Sequence, residues 1–421
     1  MKRFFTILFL SALSLSFAQE VEDSISMQPG YTNDVFYSLE NGEVSAYSGS
    51  SWTVAFYNNA MSAAIMINDG RGVELFKVTD DISQFANITD TIGLSTWTQL
   101  YGTNATWRDG SAFEGETTGS PFNYGWGDYD LATKVVSGSR IFMIKTIEDA
   151  YYKVYVVKKE TGIVTYRYAS LDNSFDTTMV INVPDYLNKS YAYLNMDNHT
   201  LQDREPNGDE WDFVFTRYVT FVTNPQGSAY YPVVGVFSNE GVEVAEVNDI
   251  PANADYAGAP FSGARNVIGD DWKSFDPMAI PPQFVLNDSL TYYVQNQVGD
   301  IYKLYFTRFD GSSTGNVRFN KEKVASGTTS IRDNQPNLDV HTIYPNPSKG
   351  SVDLVFSSEE KEKLNLRVYS LLGKLVINSE IVANLGLNSI RLNLNDVENG
   401  VYLVQLGNDI NTATHKLIVN K

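Results

Sequence analysis

Three histidines set the limit on the chemistry open to this chain: His199, His341 and His415. Imidazole is the side chain that most readily moves protons or binds a metal near neutral pH. There are no cysteines to share that work. A disulfide framework, a thiolate metal site and a thiol nucleophile are therefore excluded. His199 lies in Asp197-Asn198-His199-Thr200, a polar turn signature, while His341 and His415 follow a Ser/Gly/Thr/Asn/Pro stretch at 326–338. Serine–histidine–aspartate catalysis would have to run through His199, and no Gly-x-Ser-x-Gly elbow accompanies it. With 50 acidic residues, no carboxylate pair stands out by spacing. No Asp-x-Asp-x-Asp-Gly calcium loop is present. The pattern points away from an enzyme.

Aromatic rings are the other residues that could meet a ligand. Two long irregular stretches, 79–131 and 248–288, carry Trp97, Tyr101, Trp107, Trp126, Tyr256 and Trp272. Trp97, Trp107, Trp126 and Trp272 are the candidates for stacking on a sugar or a porphyrin. Local packing is the competing role.

The elements that must hold these residues are strands. Trp211-Asp212-Phe213-Val214-Phe215 alternates with period two, and Trp52-Thr53-Val54-Ala55-Phe56 repeats the pattern. Ile65 to Glu74 then corresponds to Val234 to Glu243, Arg140 to Ile144 to Leu290 to Val294, and Tyr152 to Tyr155 to Tyr302 to Tyr305. Four blocks in one order predict two tandem β-rich units, 31–172 and 173–325, with Trp52 and Trp211 buried at equivalent places. The abundance of Tyr and Phe favours strands, and no long amphipathic helix is evident. Asn41-Gly42 and Thr161-Gly162 predict hairpin turns.

The ends read differently. Lys2 and Arg3 precede an apolar run to Phe17, and Ser16-Phe17-Ala18 fits a small-x-small cleavage site. Residues 1–18 are expected to be a signal peptide and 19–30 a flexible N-terminus. Its loss would leave 29 cations against 50 anions, a net charge of −21. So acidic a chain repels phosphate backbones, which excludes nucleic acid as a partner. No transmembrane segment is expected, since no later stretch is long and apolar enough to span a bilayer. Residues 326–338 read as a linker, and 339–421 as a last small domain of alternating strands.

That last domain resembles the C-terminal sorting domain of the type IX secretion pathway of Bacteroidetes. The resemblance rests on Tyr344-Pro345-Asn346-Pro347, Leu372-Gly373-Lys374, Gly400-Val401-Tyr402-Leu403-Val404 and Lys416-Leu417-Ile418-Val419. It implies a β-sandwich read by the type IX machinery and a secreted or outer-surface location. The tandem units, by Trp-x-apolar-x-Phe, the Gly-centred turn and Tyr-Lys-apolar-Tyr, are similar to HmuY-like haem-binding surface proteins. That resemblance implies an all-β fold and a haem pocket. The family's carrier holds iron between two histidines, and here only His199 lies within the repeats. His199 is thus the one candidate haem ligand, and a bis-histidine site cannot be assembled. Met196 is close in sequence, but its spacing in a turn is no ligand geometry. The expected architecture is all-β: two HmuY-like units and a C-terminal β-sandwich. The expected function is a non-enzymatic surface protein that binds haem, a glycan or another small ligand. The alternative is a structural or adhesion module with no small-molecule ligand.

Overall fold

A computed structural model describes residues 20–421, apart from 59–61, 103, 107–112, 114–121, 131, 161, 187, 225–226, 328–337, 359–360, 371–372, 385 and 409–411. Strands dominate. The first run holds β1 (Val21–Ser26), β2 (Asn33–Ser38), β3 (Gly42–Ser48), β4 (Val54–Tyr57), β5 (Ile65–Ile67) and β6 (Glu74–Thr79). It continues through β7 (Thr98–Leu100), β8 (Gly127–Asp130), β9 (Val135–Gly138), β10 (Ile141–Lys145), β11 (Tyr151–Glu160) and β12 (Ile163–Ser170). The second run holds β13 (Asp176–Asn182), β14 (Tyr191–Asn195), β15 (Thr200–Gln202), β16 (Phe213–Asn224), β17 (Gly227–Ser238) and β18 (Glu243–Val247). It ends with β19 (Lys273–Asp276), β20 (Gln283–Leu286), β21 (Thr291–Gln295), β22 (Ile301–Phe309) and β23 (Asn316–Ala325).

These strands form two bodies with matching sheets. One body pairs β15-β14-β4-β5 with β13-β12-β11-β10-β6-β7. The other pairs β3-β2-β16-β17 with β1-β23-β22-β21-β18. The registers agree as well. Ile144 lies opposite Leu75 and Tyr152, as Val294 lies opposite Val244 and Tyr302.

The strands are not shared out as the tandem units 31–172 and 173–325 would have them. β1, β2 and β3 complete the second body, and β13, β14 and β15 complete the first. The opening three strands of each run thus cross to the other. One body is contiguous from β4 to β15, and the other is closed by joining the two ends of the pair. Residues 21–26 accordingly form an edge strand on β23, where a flexible N-terminus was expected.

One block correspondence shifts by two residues. Ile65 pairs with Phe56, and Val236 pairs with Phe215. Ile65 therefore takes the place of Val236, not Val234, because the turn before Glu74 is two residues longer than that before Glu243. The shift aligns Asn68 with Asn239. Asn68 Nδ2 donates to the carbonyls of Gly49 (2.8 Å) and Trp52 (2.9 Å), and Asn239 Nδ2 to those of Gly208 (2.6 Å) and Trp211 (2.8 Å).

The β4 and β16 sheets are apolar on both faces. Val54 and Phe56 enter the core of the first body, and Phe213 and Phe215 that of the second. Ala55, Tyr57, Met66, Tyr191 and Tyr193 face the other way, as do Phe36, Val214 and Phe237, and they pack together in a seam between the bodies. Trp52 and Trp211 belong to this seam and not to the two cores. Regular pairing begins at Val54 and Phe213, so each Trp precedes its strand and leaves the alternation. Trp211 is buried and Trp52 half-buried.

The tail holds β24 (Leu338–Tyr344), β25 (Ser351–Ser358), β26 (Glu362–Ser370), β27 (Leu375–Ala383), β28 (Gly386–Asn393), β29 (Gly400–Gly407) and β30 (Thr412–Val419). Its sheets, β24-β25-β28 and β27-β26-β29-β30, close on one apolar core. Asn346 explains part of its motif. Its side chain donates to the Lys416 carbonyl (2.9 Å) and accepts from the Ile418 N–H (2.8 Å), tying the opening turn to the last strand.

Candidate functional site

The seam carries more charge than an apolar interface should. Asp34 sits on β2, in the second body. Its carboxylate accepts from Arg71 (2.9 Å), Arg204 (2.7 Å) and Thr216 (2.9 Å). Arg71 comes from the turn after β5 and Arg204 from the segment after β15, both in the first body. All three charged side chains are buried to about 5% exposure. Burial pushes the Asp34 carboxyl up, but Arg204 and Arg71 outweigh it and hold the group below the usual Asp value. The close packing needs glycine at position 70. A Cβ there would meet the Arg217 carbonyl oxygen at 2.2 Å.

Aromatic rings surround this cluster. The Arg204 guanidinium lies 5.1 Å from the Tyr193 ring and 5.9 Å from Trp52. Arg265, from the long stretch before β19, is buried, lies 4.4 Å over Phe237 and donates to the Asn104 carbonyl (3.2 Å). Glu205 accepts from the Ser190 N–H (2.7 Å) and Tyr193 Oη (2.9 Å), and burial raises its pKa. Burial also pushes Asp69 up to about 6.

Between these groups lies a cavity of about 90 Å³, walled by residues of both bodies. Trp52, Tyr191, Tyr193, Trp211, Tyr218 and Phe237 supply rings, Arg204 and Arg265 supply buried arginines, and Arg217 borders it from β16. Arg217, on β16, is half-buried. Among the described residues its guanidinium makes no ion pair and no hydrogen bond. Trp52 adds a buried indole N–H with no acceptor among the described residues.

The residues singled out in the sequence lie elsewhere. His199 occupies the exposed turn between β14 and β15, with φ +59. Its ring stacks on Phe175 at 4.2 Å, and Nδ1 meets Tyr168 Oη at 2.9 Å. It does not line the cavity. Met196 is fully buried, with Tyr166 Oη 3.8 Å from its sulfur. Trp126 and Trp272 are core residues at 1% exposure, closed to ligand stacking. Trp126 donates to the Ala63 carbonyl (2.9 Å), and Trp272 stacks on Phe306 at 3.9 Å. Trp97 is half-buried against Gly93. Tyr101 stacks on Tyr230 (3.7 Å) and Tyr256 leans on Tyr293 (5.0 Å). Trp107 lies outside the described residues. The described rings of the irregular stretches thus serve local packing. The seam residues went unrecognised because no short motif links Asp34 to Arg204. A usable signal was present in Ala63-Ala64-Ile65-Met66-Ile67, a strand apolar on both faces that needs a partner on each.

Residues 342–420 match the family model of the secretion system C-terminal sorting domain. The tail is a type IX sorting domain. It marks the chain for the type IX machinery and for the outer surface or the extracellular space. Among curated proteins none matches the chain. Solved structures with some likeness include a Bacteroides vulgatus protein described as HmuY-like and heme-binding, at 16% identity, covering 37% of this chain and 84% of that one, TM-score 0.18. Another is a protein described as a lipoprotein from Bacteroides fragilis, at 12% identity, covering 39% and 91%, TM-score 0.17. A third is dimeric latent PorU from Porphyromonas gingivalis, at 10% identity, covering 68% and 31%, TM-score 0.19.

Proposed function

We propose that this chain is a non-enzymatic ligand-binding protein of the cell exterior, and that its ligand enters the cavity in the seam. In this reading residues 1–18 are a leader removed on export, and the sorting tail directs the second export step. The two bodies are tandem copies of one unit, which the shared strand order and the Asn68 and Asn239 hydrogen bonds support. The carrying observation is the cavity itself. It combines aromatic walls with buried arginine and carboxylate side chains, the mixture by which small-molecule sites fix and orient ligands.

Haem does not fit this cavity. Its volume of about 90 Å³ is below the roughly 150 Å³ that admits one benzene ring, and a porphyrin is several times larger. His199, already engaged by Tyr168 and Phe175, faces no second imidazole from the repeats. A haemin titration of the chain from Glu20 to Lys421 should therefore give no sharp low-spin bis-histidine spectrum. The direct test fills the cavity. Ala55 lines it, so Ala55→Leu should abolish binding of small solutes detected by Trp fluorescence and ligand-observed NMR. If the filled variant and the parent bind the same solutes equally, the ligand is not in the seam. Absence of any binding would favour the structural or adhesion module.

A further inference from the structure

We propose that Lys153 and Asn173 form an intramolecular amide cross-link, the lysine Nζ joined to the asparagine Cγ with loss of ammonia. β11 sends Val154 and Val156 into the core of the first body, so Lys153 and Tyr155 face the other way. The short 3-10 helix Ile82–Asn87 packs over that face, and Lys153 is fully buried. Its Nζ lies 5.3 Å from the Phe85 ring centroid. It donates to the Ile88 carbonyl (3.0 Å) and to Asn173 Oδ1. Both acceptors are neutral, and among the described residues no carboxylate pairs with this amine. A buried ammonium without an anion is costly, and a neutral amide nitrogen in its place removes that cost.

The matching lysine of the second body shows what is particular here. Lys303 sits one residue after Tyr302, as Lys153 follows Tyr152, and it is half-buried. Its Nζ also reaches a covering segment, donating to the Pro251 carbonyl. That acceptor is backbone, where displacement would cut the chain. Lys153 instead meets a side-chain carboxamide, whose NH2 is free to leave.

Asn173 is held at both ends. Its backbone N–H donates to the Ser170 carbonyl (3.1 Å) in the turn between β12 and β13, and Nδ2 donates to the Ala86 carbonyl (3.3 Å). The fold thus points the carboxamide oxygen at the amine and ties the leaving nitrogen elsewhere. Well-oriented intramolecular reactions reach effective concentrations on the order of 10⁵ M or more. Burial lowers the Lys153 pKa against the opposing pull of Asp176, and the neutral amine is the form that attacks. In the step, the Nζ–Cγ bond forms and the Cγ–Nδ2 bond breaks. One proton passes from Nζ to the departing nitrogen, which leaves as ammonia, and nothing is oxidised or reduced. Asn173 is exposed, so the ammonia escapes to solvent. The bond would brace the first body in a chain that has no cysteine to cross-link.

The test is the intact mass of the chain from Glu20 to Lys421, purified folded and then denatured. It should fall below the mass of the sequence by one ammonia. Tryptic digestion should leave the chain uncut after Lys153 and give a branched peptide joining Lys153 to Asn173. Lys153→Arg and Asn173→Ala should each restore the full mass and abolish the branched peptide. A succinimide at Asn173-Ser174 would also lose ammonia, but it would survive Lys153→Arg and give no branch. The proposal is overturned if the parent carries its full sequence mass, or if the ammonia loss persists in Lys153→Arg. The parent's mass and peptide map decide the question even where a variant fails to fold.

Discussion

Thr53 and Asp212 show how one position tolerates two chemistries. Each accepts a hydrogen bond from a neighbouring strand end: Met196 N–H to Thr53 Oγ1 at 3.1 Å, and Leu39 N–H to Asp212 Oδ2 at 2.7 Å. What the site requires is an acceptor, and a charge is optional. The charge has a cost, because burial pushes the Asp212 carboxyl up to about 6. A carboxyl whose folded pKa lies above its unfolded value of about 3.8 holds its proton more tightly when folded. Its contribution is fully present below pH 3.8 and is lost as pH rises through 6. Asp212→Thr keeps the acceptor and removes the titration. Urea unfolding of parent and variant between pH 4 and pH 7 should show the parent losing roughly 2–3 kcal/mol relative to the variant as pH rises. A constant difference across that range would mean that Asp212 does not titrate with the fold.

At the scale of elements, the crossing of β1–β3 and β13–β15 decides which pieces can stand alone. Residues 52–205 include every strand of the first body, from β4 to β15. Residues 31–172 lack β14, the partner of β4, and β13, the partner of β12. The fragment 52–205 should therefore show β-sheet circular dichroism and a cooperative melt, and 31–172 should not. The folded fragment would expose Tyr57, Met66, Tyr191 and Tyr193, so it should self-associate in sedimentation. A cooperative melt for 31–172 would count against the crossing as a requirement for folding.

For the whole molecule, the division of labour lies between body and tail. The tail has its own core, from Val340 to Val419, with no residue in common with the cores of the two bodies. Thermal melts of residues 20–327 and of residues 20–421 should therefore agree in the body's midpoint. A large fall on truncation would show that the tail supports the bodies. Within the bodies the opposite holds. The Asp34–Arg71–Arg204 network joins side chains from both, so they should unfold together in those same melts.

The amino-acid sequence alone determined the all-β class, the strand blocks, the turns at Gly42 and Gly162, and the sorting tail. Each depends on neighbours within a few residues, and φ is positive at both glycines. The division at 172/173 was legible only along the chain. Alternation tells which side chains share a face, but not which strand lies beside them or which sheet covers that face. Trp52 and Trp211 could be matched from their blocks, while their place in the seam could not, because each steps out of register just before its strand. The site is further removed still. Asp34 and Arg204 are 170 residues apart, and Arg71 reaches Asp34 only once the turn at Gly70 is laid against β16. Only the tertiary structure gathered these guanidiniums, because the free energy that holds them there comes from burying two apolar sheets against each other.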